Sequence, residues 1–548
     1  MKQGCAILAI AKCPASRVIL AEIIGESMVE FETPLLVTFV GYIAIILAIA
    51  YISTRLTSNL SDYVLAGRRL SGPVTALGAG ASDMSSWLLM ALPGLVYVNG
   101  LSMIWMPLAL ILGAYCNWRF MAKRLRVYTE VANDSLTIPE FLCNRFKDKG
   151  YSLRIVTSLS IIIFFTFYAA AGLVSGALLI QHTFNGIEYL PALLITASVI
   201  VTYTAIGGFL AVSWIDFFQG SLMFVALLVV PIVTCLNMGG LSETVQNISV
   251  HSAGHLEVFK NIKFLGLLSL FAWGLGYFGQ LHINTRFMAI RSIKELPLAR
   301  LICMNWMTLA LAGAVATGLF GYTYFYTQPL VKQDTVFIVL SQQLFNPWVA
   351  GILLSAVISA VMSTVSAQIL MSSSILVEDF YHGIFRKQAS DSENLWAGRL
   401  ILLAVASVAV LIAANPTRTI MQAVGFAWSG LGSAFGPVLL FSLFWRRMSR
   451  QAAVWGIISG ASMVLLWGVG SYFIDGLFSN PDILPGFEML PGFITSCIVI
   501  LVVGLKSPMP GADVLADFDK TMAIIAAEEA ENQDIIVNTV INSSIAEH

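Results

Sequence analysis

Residues 78–90 read GAGASDMSSWLLM and lie inside an apolar segment that is long enough to cross a lipid bilayer. The segment nevertheless carries the ionisable residue Asp83 among small residues and serines. A carboxylate is costly in hydrocarbon, so such residues mark ion or substrate pathways. Glycines weaken a helix, and non-helical backbone at membrane depth survives only where it is buried in protein or lines a cavity. We therefore predict an interrupted membrane helix built around a small cation.

The composition of the whole chain is that of a membrane protein. Of its 548 residues, 57% are hydrophobic and only 11% are charged, whereas soluble proteins carry about 25% charged residues. A β-barrel would show alternating segments of about ten residues, which the chain lacks. We predict an all-α polytopic membrane protein. Its net charge of −1 gives no reason to expect a nucleic-acid partner, and we expect no resident cofactor and no obligatory protein partner.

Apolar runs predict about thirteen transmembrane spans within one domain, residues 34–505, preceded by a tail, 1–33, and followed by an acidic cytoplasmic tail, 506–548. The predicted spans are 34–53, 74–98, 102–122, 154–182, 189–209, 213–236, 263–283, 301–327, 347–375, 397–414, 420–445, 452–474 and 487–505. We expect the acidic tail to be solvated, with at most a short helix around 511–531.

The distribution of basic residues predicts the orientation. If the loop with Arg55, Arg68 and Arg69 is cytoplasmic, that side holds 23 of the 30 Lys and Arg residues and the outer side holds four. Because basic residues concentrate in cytoplasmic loops, the N-terminus is predicted outside and the C-terminus inside. The three basic residues of the N-terminal tail disagree with this assignment. Either the native protein starts at Met28 or the tail is a signal peptide, although its apolar run is short for one.

A second interrupted helix is predicted at residues 273–282, which read WGLGYFGQLH. Three glycines within six residues weaken the helix, although glycines also simply allow membrane helices to pack closely. This span lies five steps after the first interrupted one, so the two run in opposite directions. Interrupted helices at corresponding places in two inverted halves are the best sequence indication of a secondary-transporter site.

The predicted ninth span carries serines at four-, four- and three-residue spacing, which places them on one helix face. They are Ser355, Ser359, Ser363 and Ser366. Either this face packs against other helices through hydrogen bonds, or Ser363 and Thr364 offer hydroxyl oxygens to a hard cation. Asp216, near the inner end of the sixth span, either caps a turn or serves a second ion together with Ser366.

Four aromatic residues lie at or near these segments: Trp87, Tyr168, Trp273 and Tyr277. They either line the protein core and lipid surface or enclose a small organic ammonium by cation–π attraction. Helix N-termini at the interruptions favour a carboxylate. These two features together favour a zwitterion as the ligand.

Four motifs resemble the sodium/solute symporter family, and within it the bacterial members that carry proline. The motifs are ASDMSSWLLM at 81–90, GGFLAVSW at 207–214, WGLGYFGQ at 273–280 and VMST at 361–364, and the likeness extends over about residues 33–505. The resemblance implies two inverted five-helix repeats, spans 2–6 and 7–11, with broken helices in spans 2 and 7. It implies sodium-coupled uptake of L-proline, or a similar small zwitterion, by alternating access in the cytoplasmic (inner) membrane of a bacterium.

The resemblance also implies the residues of the site. The implied sodium ligands are the carbonyls of Ala81, Met84 and Ala360 and the hydroxyls of Ser363 and Thr364, with Asp83 required for high affinity. The implied substrate pocket contains Ser85, Ser86, Trp87, Tyr168, Trp273, Tyr277 and Leu281. Arg68, in the first inner loop, resembles an arginine implicated in coupling.

Ser86 and Leu281 depart from the family pattern, which has Gly and Pro at these positions. Serine narrows the approach to the backbone, and leucine restores an N–H and allows the helix to run on. The alternatives are therefore a sodium symporter for another small carboxylate-bearing solute, such as another amino acid or pantothenate, or a transporter-like sensor. An enzyme is not expected.

Overall fold

The computed structural model describes residues 33–55, 60–184, 186–386, 388, 390–416, 419–473, 484 and 486–546. The predicted start at Met28 lies outside these residues. The first ten helices are α1 (Thr33–Thr54), α2 (Leu60–Leu65), α3 (Gly72–Asp83), α4 (Leu92–Asn99), α5 (Trp105–Cys116), α6 (Ala122–Val131), α7 (Ile138–Arg145), α8 (Ser152–Thr183), α9 (Tyr189–Asn237) and α10 (Leu241–Ser252).

The second half of the chain continues the helical pattern. Its helices are α11 (Phe264–Ala272), α12 (Leu281–Ala289), α13 (Leu296–Tyr324), α14 (Val336–Leu344), α15 (Pro347–Ile375), α16 (Asp391–Ala413), α17 (Ile420–Phe444), α18 (Arg450–Phe473), α19 (Met489–Lys506) and α20 (Ala512–Ala546). Within the described ranges no β-strand forms, apart from a single parallel bridge between Leu70 and Ile290. The predicted all-α polytopic architecture is confirmed.

The predicted number of spans is not confirmed. Ten described helices are long and apolar enough to cross a membrane, or eleven if the bent pair Phe264–Gly279 and Leu281–Ala289 counts as one span. One reason lies in α9, a single element of 49 residues that contains two predicted spans. Gly208 leaves the helical conformation inside it, with φ 62° and ψ −164°, so the element turns at this residue.

Both predicted interruptions occur. The helix α3 ends at Asp83, and Ser85 has a positive φ of 22°, which a non-glycine residue rarely adopts. A π-helical turn, Trp87–Ala91, then leads into α4. In the second case α11 passes into a 3₁₀ segment, Trp273–Gly279, and the chain bends by 40° before α12.

Backbone hydrogen bonds join the two interrupted spans at one end of the molecule. Leu70 N–H donates to Ala289 O over 3.1 Å, and Arg291 N–H donates to Leu70 O over 2.9 Å. Arg68 lies beside this bridge and donates to Met288 O over 2.9 Å, to Ser135 O over 2.9 Å and to Thr129 Oγ1 over 3.1 Å. We call this end, with its basic residues Arg68, Arg126, Arg291 and Lys294, the basic end.

The acidic C-terminal segment forms the 35-residue helix α20, which is longer than the short helix expected around 511–531. Most of its residues up to 531 are exposed, but Val514, Phe518, Thr521 and Ile525 are buried and recur on one face. The Phe518 ring lies 6.1 Å from the Tyr128 ring and 5.4 Å from the Arg145 guanidinium. Four ion pairs surround this contact: Lys147–Asp517, Arg446–Asp519, Lys123–Glu529 and Lys294–Glu531.

Candidate sodium and substrate site

The candidate site begins where α3 ends. Ser82 Oγ donates to Gly78 O over 2.7 Å, and Met84 N–H donates to Gly80 O over 3.0 Å as the last bond of the helix. Because the next residues leave the helical path, the carbonyls at this end lose their usual partners. Such freed carbonyls are the oxygen ligands that a sodium ion needs in place of its water shell.

The hydroxyl face of α15 meets this helix end. Ser363 Oγ donates to Ala81 O over 2.9 Å and lies 3.2 Å from Ala360 O. The structure therefore brings together three of the predicted ligand oxygens. Thr364 is buried beside them, and its Oγ1 has no hydrogen-bond partner among the described residues. Met84, at the C-cap of α3, is fully buried.

The other serines of α15 serve the packing role that the sequence left open. Ser355 Oγ donates to Gly351 O over 2.8 Å, and Ser359 Oγ lies 2.7 Å from Ser355 O and 2.9 Å from Tyr42 Oη. Ser366 Oγ donates to Ser363 O over 3.1 Å. The stripe is thus mixed: most hydroxyls bond back to their own helix, whereas Ser363 reaches α3.

Asp83 lies inside the protein, with 3% of its surface exposed. Its Oδ2 accepts a hydrogen bond of 2.5 Å from Tyr277 Oη. No ion pair joins Asp83 to a basic residue within the described ranges. The buried Arg286 is bound to Asp216 and Ser213. An anion in this position, without a protein cation, can interact strongly with a metal cation.

The predicted aromatic residues surround the same point. The Trp87 and Trp273 rings lie 6.4 Å apart, and all four predicted aromatic side chains are buried. The Tyr168 hydroxyl lies near Asp83 and Ser85, and it makes no hydrogen bond of ordinary geometry with the described residues. Ser85 Oγ accepts from Trp87 N–H over 3.4 Å.

The two departures from the family pattern differ in their surroundings. Ser86 is fully buried, and its Oγ has no partner among the described residues. Leu281 is the first residue of α12, so the expected continuation of the helix through this position is wrong. Gln280 interrupts the helix with φ −79° and ψ 99°. Leu281 lines a cavity with His282, Ile138 and Val64 toward the basic end.

Asp216, for which the sequence left open a cap or turn or a second ion with Ser366, lies inside α9 and pairs with Arg286, so it caps no turn. Two residues around the site were not predicted. Asn117 Nδ2 donates to Tyr277 O and to Asn284 Oδ1, both over 3.1 Å. Trp428 Nε1 donates to Trp273 O over 2.9 Å. An amide within an apolar span, as at Asn117, is a signal that sequence reading could have used.

Arg68 lies apart from these residues. Besides its bonds to the loops at the basic end, its Nε lies 2.8 Å from Asp134 Oδ1. The structure therefore places the predicted coupling residue at the closure of the basic end, where loops that follow or precede three different spans meet.

Comparison with known proteins gives a consistent result. A model of the sodium:solute symporter family matches residues 63–460. The sodium/proline symporter of Salmonella typhimurium is 46% identical over 498 residues, which cover 90% of this chain and 97% of that protein. That of Escherichia coli is 47% identical over 487 residues, 88% of this chain and 95% of that protein. The high-affinity proline transporter PutP of Bacillus subtilis is 47% identical over 482 residues, 87% of this chain and all of that protein.

Among solved structures, a sodium-coupled sialic acid symporter in a substrate-bound, outward-open state superposes with a TM-score of 0.74. The alignment covers 87% of this chain and 99% of that one, at 18% identity, and it shows a shared fold. The family model spans more than half of the chain, and it includes both interrupted helices and the hydroxyl face of α15. The chain belongs to the sodium:solute symporter family.

Proposed function

We propose that this protein couples the entry of Na⁺ to the uptake of L-proline, or a similar small zwitterion, by alternating access. Family membership supports sodium coupling, and relatives of 45–47% identity that are named for proline support the substrate. The proposal includes the bacterial cytoplasmic membrane as the location, an outer N-terminus and a cytoplasmic basic end. It also includes residues 34–505 as one transport domain.

The hydrogen bond between Tyr277 and Asp83 carries the proposal. It joins a residue of the implied substrate pocket to a residue of the implied sodium site, with no intervening group. A cation that approaches Asp83 therefore acts on the orientation of the Tyr277 ring, and a ligand against that ring acts on the carboxylate. Such coupling is reciprocal by thermodynamic necessity.

The resemblance to the family implies a division of labour, and the contacts of Ser363 with Ala81 O and Ala360 O support it. In this division Na⁺ takes its oxygens from the carbonyls of Ala81, Met84 and Ala360, the hydroxyls of Ser363 and Thr364, and the Asp83 carboxylate. The aromatic residues Trp87, Tyr168, Trp273 and Tyr277 hold the ammonium end of the zwitterion by cation–π attraction. Freed backbone N–H groups at the interruptions favour its carboxylate.

One sodium ion is enough to drive accumulation. A single charge that moves through 100 mV contributes about 2.3 kcal/mol, and a tenfold sodium gradient adds about 1.4 kcal/mol. Together they sustain a gradient of several hundredfold for a solute without net charge. A second ion is not required by this energetics.

The proposal is tested with purified protein by calorimetric binding of proline in the presence and absence of Na⁺. We expect Na⁺ to raise proline affinity at least about tenfold, and Tyr277→Phe to bring that factor close to one. Uptake competition in proteoliposomes with other amino acids and pantothenate then identifies the solute. Equal proline affinity with and without Na⁺ in the unmodified protein would refute coupling at this site.

A further inference from the structure

Trp428 in α17 contacts the 3₁₀ segment Trp273–Gly279 at both of its ends. Its indole Nε1 donates to Trp273 O over 2.9 Å, at the start of the segment. Its own carbonyl accepts from Gln280 Nε2 over 3.1 Å, directly after the segment. A single residue of another helix thus holds the two ends of the interruption at a fixed separation.

The same side chain also sets the orientation of the aromatic residues. The Trp428 ring stacks on Trp273 at 6.2 Å with an interplanar angle of 27°. It meets Tyr277 edge-on at 5.2 Å and 85°. Such ring pairs favour a defined mutual orientation beyond the burial of apolar area. Trp428 is 2% exposed, so the contacts are shielded from solvent.

The 3₁₀ segment Trp273–Gly279 has a glycine at the point where the Trp428 indole contacts it. A Cβ at Gly276 would overlap the Trp428 indole, so only glycine permits the observed approach. The hydrogen bonds of 3₁₀ helices have poorer geometry than those of α-helices. The segment therefore depends on outside partners, and Asn117 supplies the third one through Tyr277 O.

We propose that Trp428 is a positioning residue for the substrate. It fixes the interruption of the seventh predicted span so that the Trp273 and Tyr277 rings face the pocket together and Tyr277 remains within reach of Asp83. This inference rests on the proposed function and adds a residue of α17 to the determinants of substrate affinity. If Trp428 only stabilised the fold, its replacement would lower the amount of folded protein but would leave the affinity of the folded protein for the solute unchanged.

The test compares Trp428→Phe, which keeps a ring but removes the indole N–H, with Gln280→Ala, which removes the second bond. The control is Tyr189→Phe, which removes a 2.7 Å bond to Ala413 O between the start of α9 and the end of α16; neither of these two residues belongs to the candidate site. Proteoliposomes are loaded with equal amounts of folded protein, and initial uptake is measured against proline and against Na⁺.

For Trp428→Phe and Gln280→Ala we expect the KM for proline to rise about five- to tenfold, as for the loss of one buried hydrogen bond, with kcat within about twofold. The sodium concentration for half-maximal uptake rises in the same variants, because Tyr277 shifts relative to Asp83. The control keeps all three constants. Because both bonds hold one segment, the double variant loses less than the product of the single effects.

An unchanged KM in Trp428→Phe, or a fall in kcat alone, would overturn the inference. If the unmodified protein takes up a different zwitterion, the proline assignment fails. The KM and kcat of the same variants are then measured with that solute, and a rise in KM alone is again expected. If no solute shows sodium-dependent uptake, the proposed function fails before Trp428 is tested. The two failures are therefore distinguishable.

Discussion

In the proposed function, Asp83 and Tyr277 form the contact at which an ion and an organic solute influence each other. The carboxylate is buried, and its Oδ2 is bound to the tyrosine hydroxyl. The buried Arg286 is bound to Asp216, and no ion pair joins Asp83 to a basic residue within the described ranges. A buried pair such as Arg286 and Asp216 is costly to break singly, since one unpaired charge would then remain inside the protein.

Replacement Asp83→Asn keeps the shape of the side chain and an oxygen that accepts from Tyr277, but removes the charge. We expect the sodium concentration for half-maximal uptake to rise by at least about tenfold, since a bond to a charged group contributes about 1.5–3 kcal/mol. Membrane insertion should remain normal. Unchanged sodium activation in proteoliposomes would place the ion elsewhere.

The hydroxyls of α15 allow a sharper test, because the helix supplies its own control. Ser363→Ala removes the hydroxyl that bonds Ala81 O, and Thr364→Ala removes the buried hydroxyl of the next residue, for which the described part of the chain offers no hydrogen-bond partner. Ser359→Ala removes a hydroxyl that bonds Ser355 O and Tyr42. We expect the first two variants to lose sodium affinity by about fivefold each and the third to keep it. Equal effects in all three, measured by sodium-dependent uptake, would indicate a general packing defect.

At the scale of elements, the two interruptions were predictable, and the contacts around them were not. The break at Asp83 is predicted by glycines, serines and a carboxylate within an apolar run. The break at Trp273 is predicted by three glycines within six residues. The pairing of Asp216 with Arg286 joins residues 70 positions apart, and Trp428 meets Trp273 across 155 positions. Neither contact follows from local periodicity, because helix packing decides which faces meet.

The packing of the C-terminal segment against the protein could not be predicted for a related reason. Acidic composition indicates solvation, but the four apolar or small residues on one face of α20 become informative only when a matching surface exists. That surface contains Tyr128 and Arg145, which precede α20 by more than 350 residues in the sequence. The span count failed where one helix continues through a turn, at Gly208.

The position of Leu281 as the first residue of α12 predicts that Leu281→Pro is tolerated. The first helical N–H has no partner within the helix, and proline is favoured there. Ala289→Pro, in the last turn of the same helix, removes a bonded N–H and should cost about 3 kcal/mol. Thermal unfolding in detergent distinguishes the two. A Leu281→Pro variant as unstable as Ala289→Pro would contradict the assigned helix start.

The loop before α8 predicts a dependence on pH. Asp148 accepts from Gly150 N–H and Leu153 N–H, each over 2.9 Å, and from Arg450 over 2.8 Å. Partial burial raises the pKa of Asp148, but these bonds outweigh it and hold the pKa below its usual 3.8. A lowered folded-state pKa means that the stabilisation is present well above pH 3.8 and is lost as the pH falls below it.

We therefore expect Asp148→Asn to unfold at a lower temperature than the unmodified protein at pH 7. The expected loss in the free energy of unfolding is about 1 kcal/mol, as is typical for the loss of a helix cap. The difference should narrow as the pH falls below 3.8. Thermal scans in detergent at several pH values measure it. A difference that does not depend on pH would mean that the charge of Asp148 is unimportant.

At the scale of the whole molecule, α20 connects distant parts of the basic end. Its ion pairs reach α6, the loop before α8, the segment after α12 and the end of α17. Exposed pairs of this kind contribute about 0–1 kcal/mol each and are screened by salt. Burial of the Phe518 side chain contributes about 1.5–3 kcal/mol, so the aromatic contact outweighs any single ion pair and, unlike the pairs, is not screened by salt.

Phe518→Ala should therefore release α20 where high salt alone does not. Limited proteolysis of inside-out vesicles provides the measurement, with Lys520→Ala as a control because Lys520 is exposed on the same helix. We expect faster cleavage after Gly511 in Phe518→Ala and no change in the control. Equal protection of both variants at low salt, lost together at high salt, would show that the ion pairs carry the docking.

The backbone bridge between Leu70 and residues Ala289 and Arg291 has a consequence for observing the protein at work. Any motion that separates the basic ends of the two interrupted spans must break the bonds of the Leu70 and Arg291 amides. We therefore expect deuterium uptake at these two amides to report each opening of the basic end, and a solute that holds this end closed to slow the uptake.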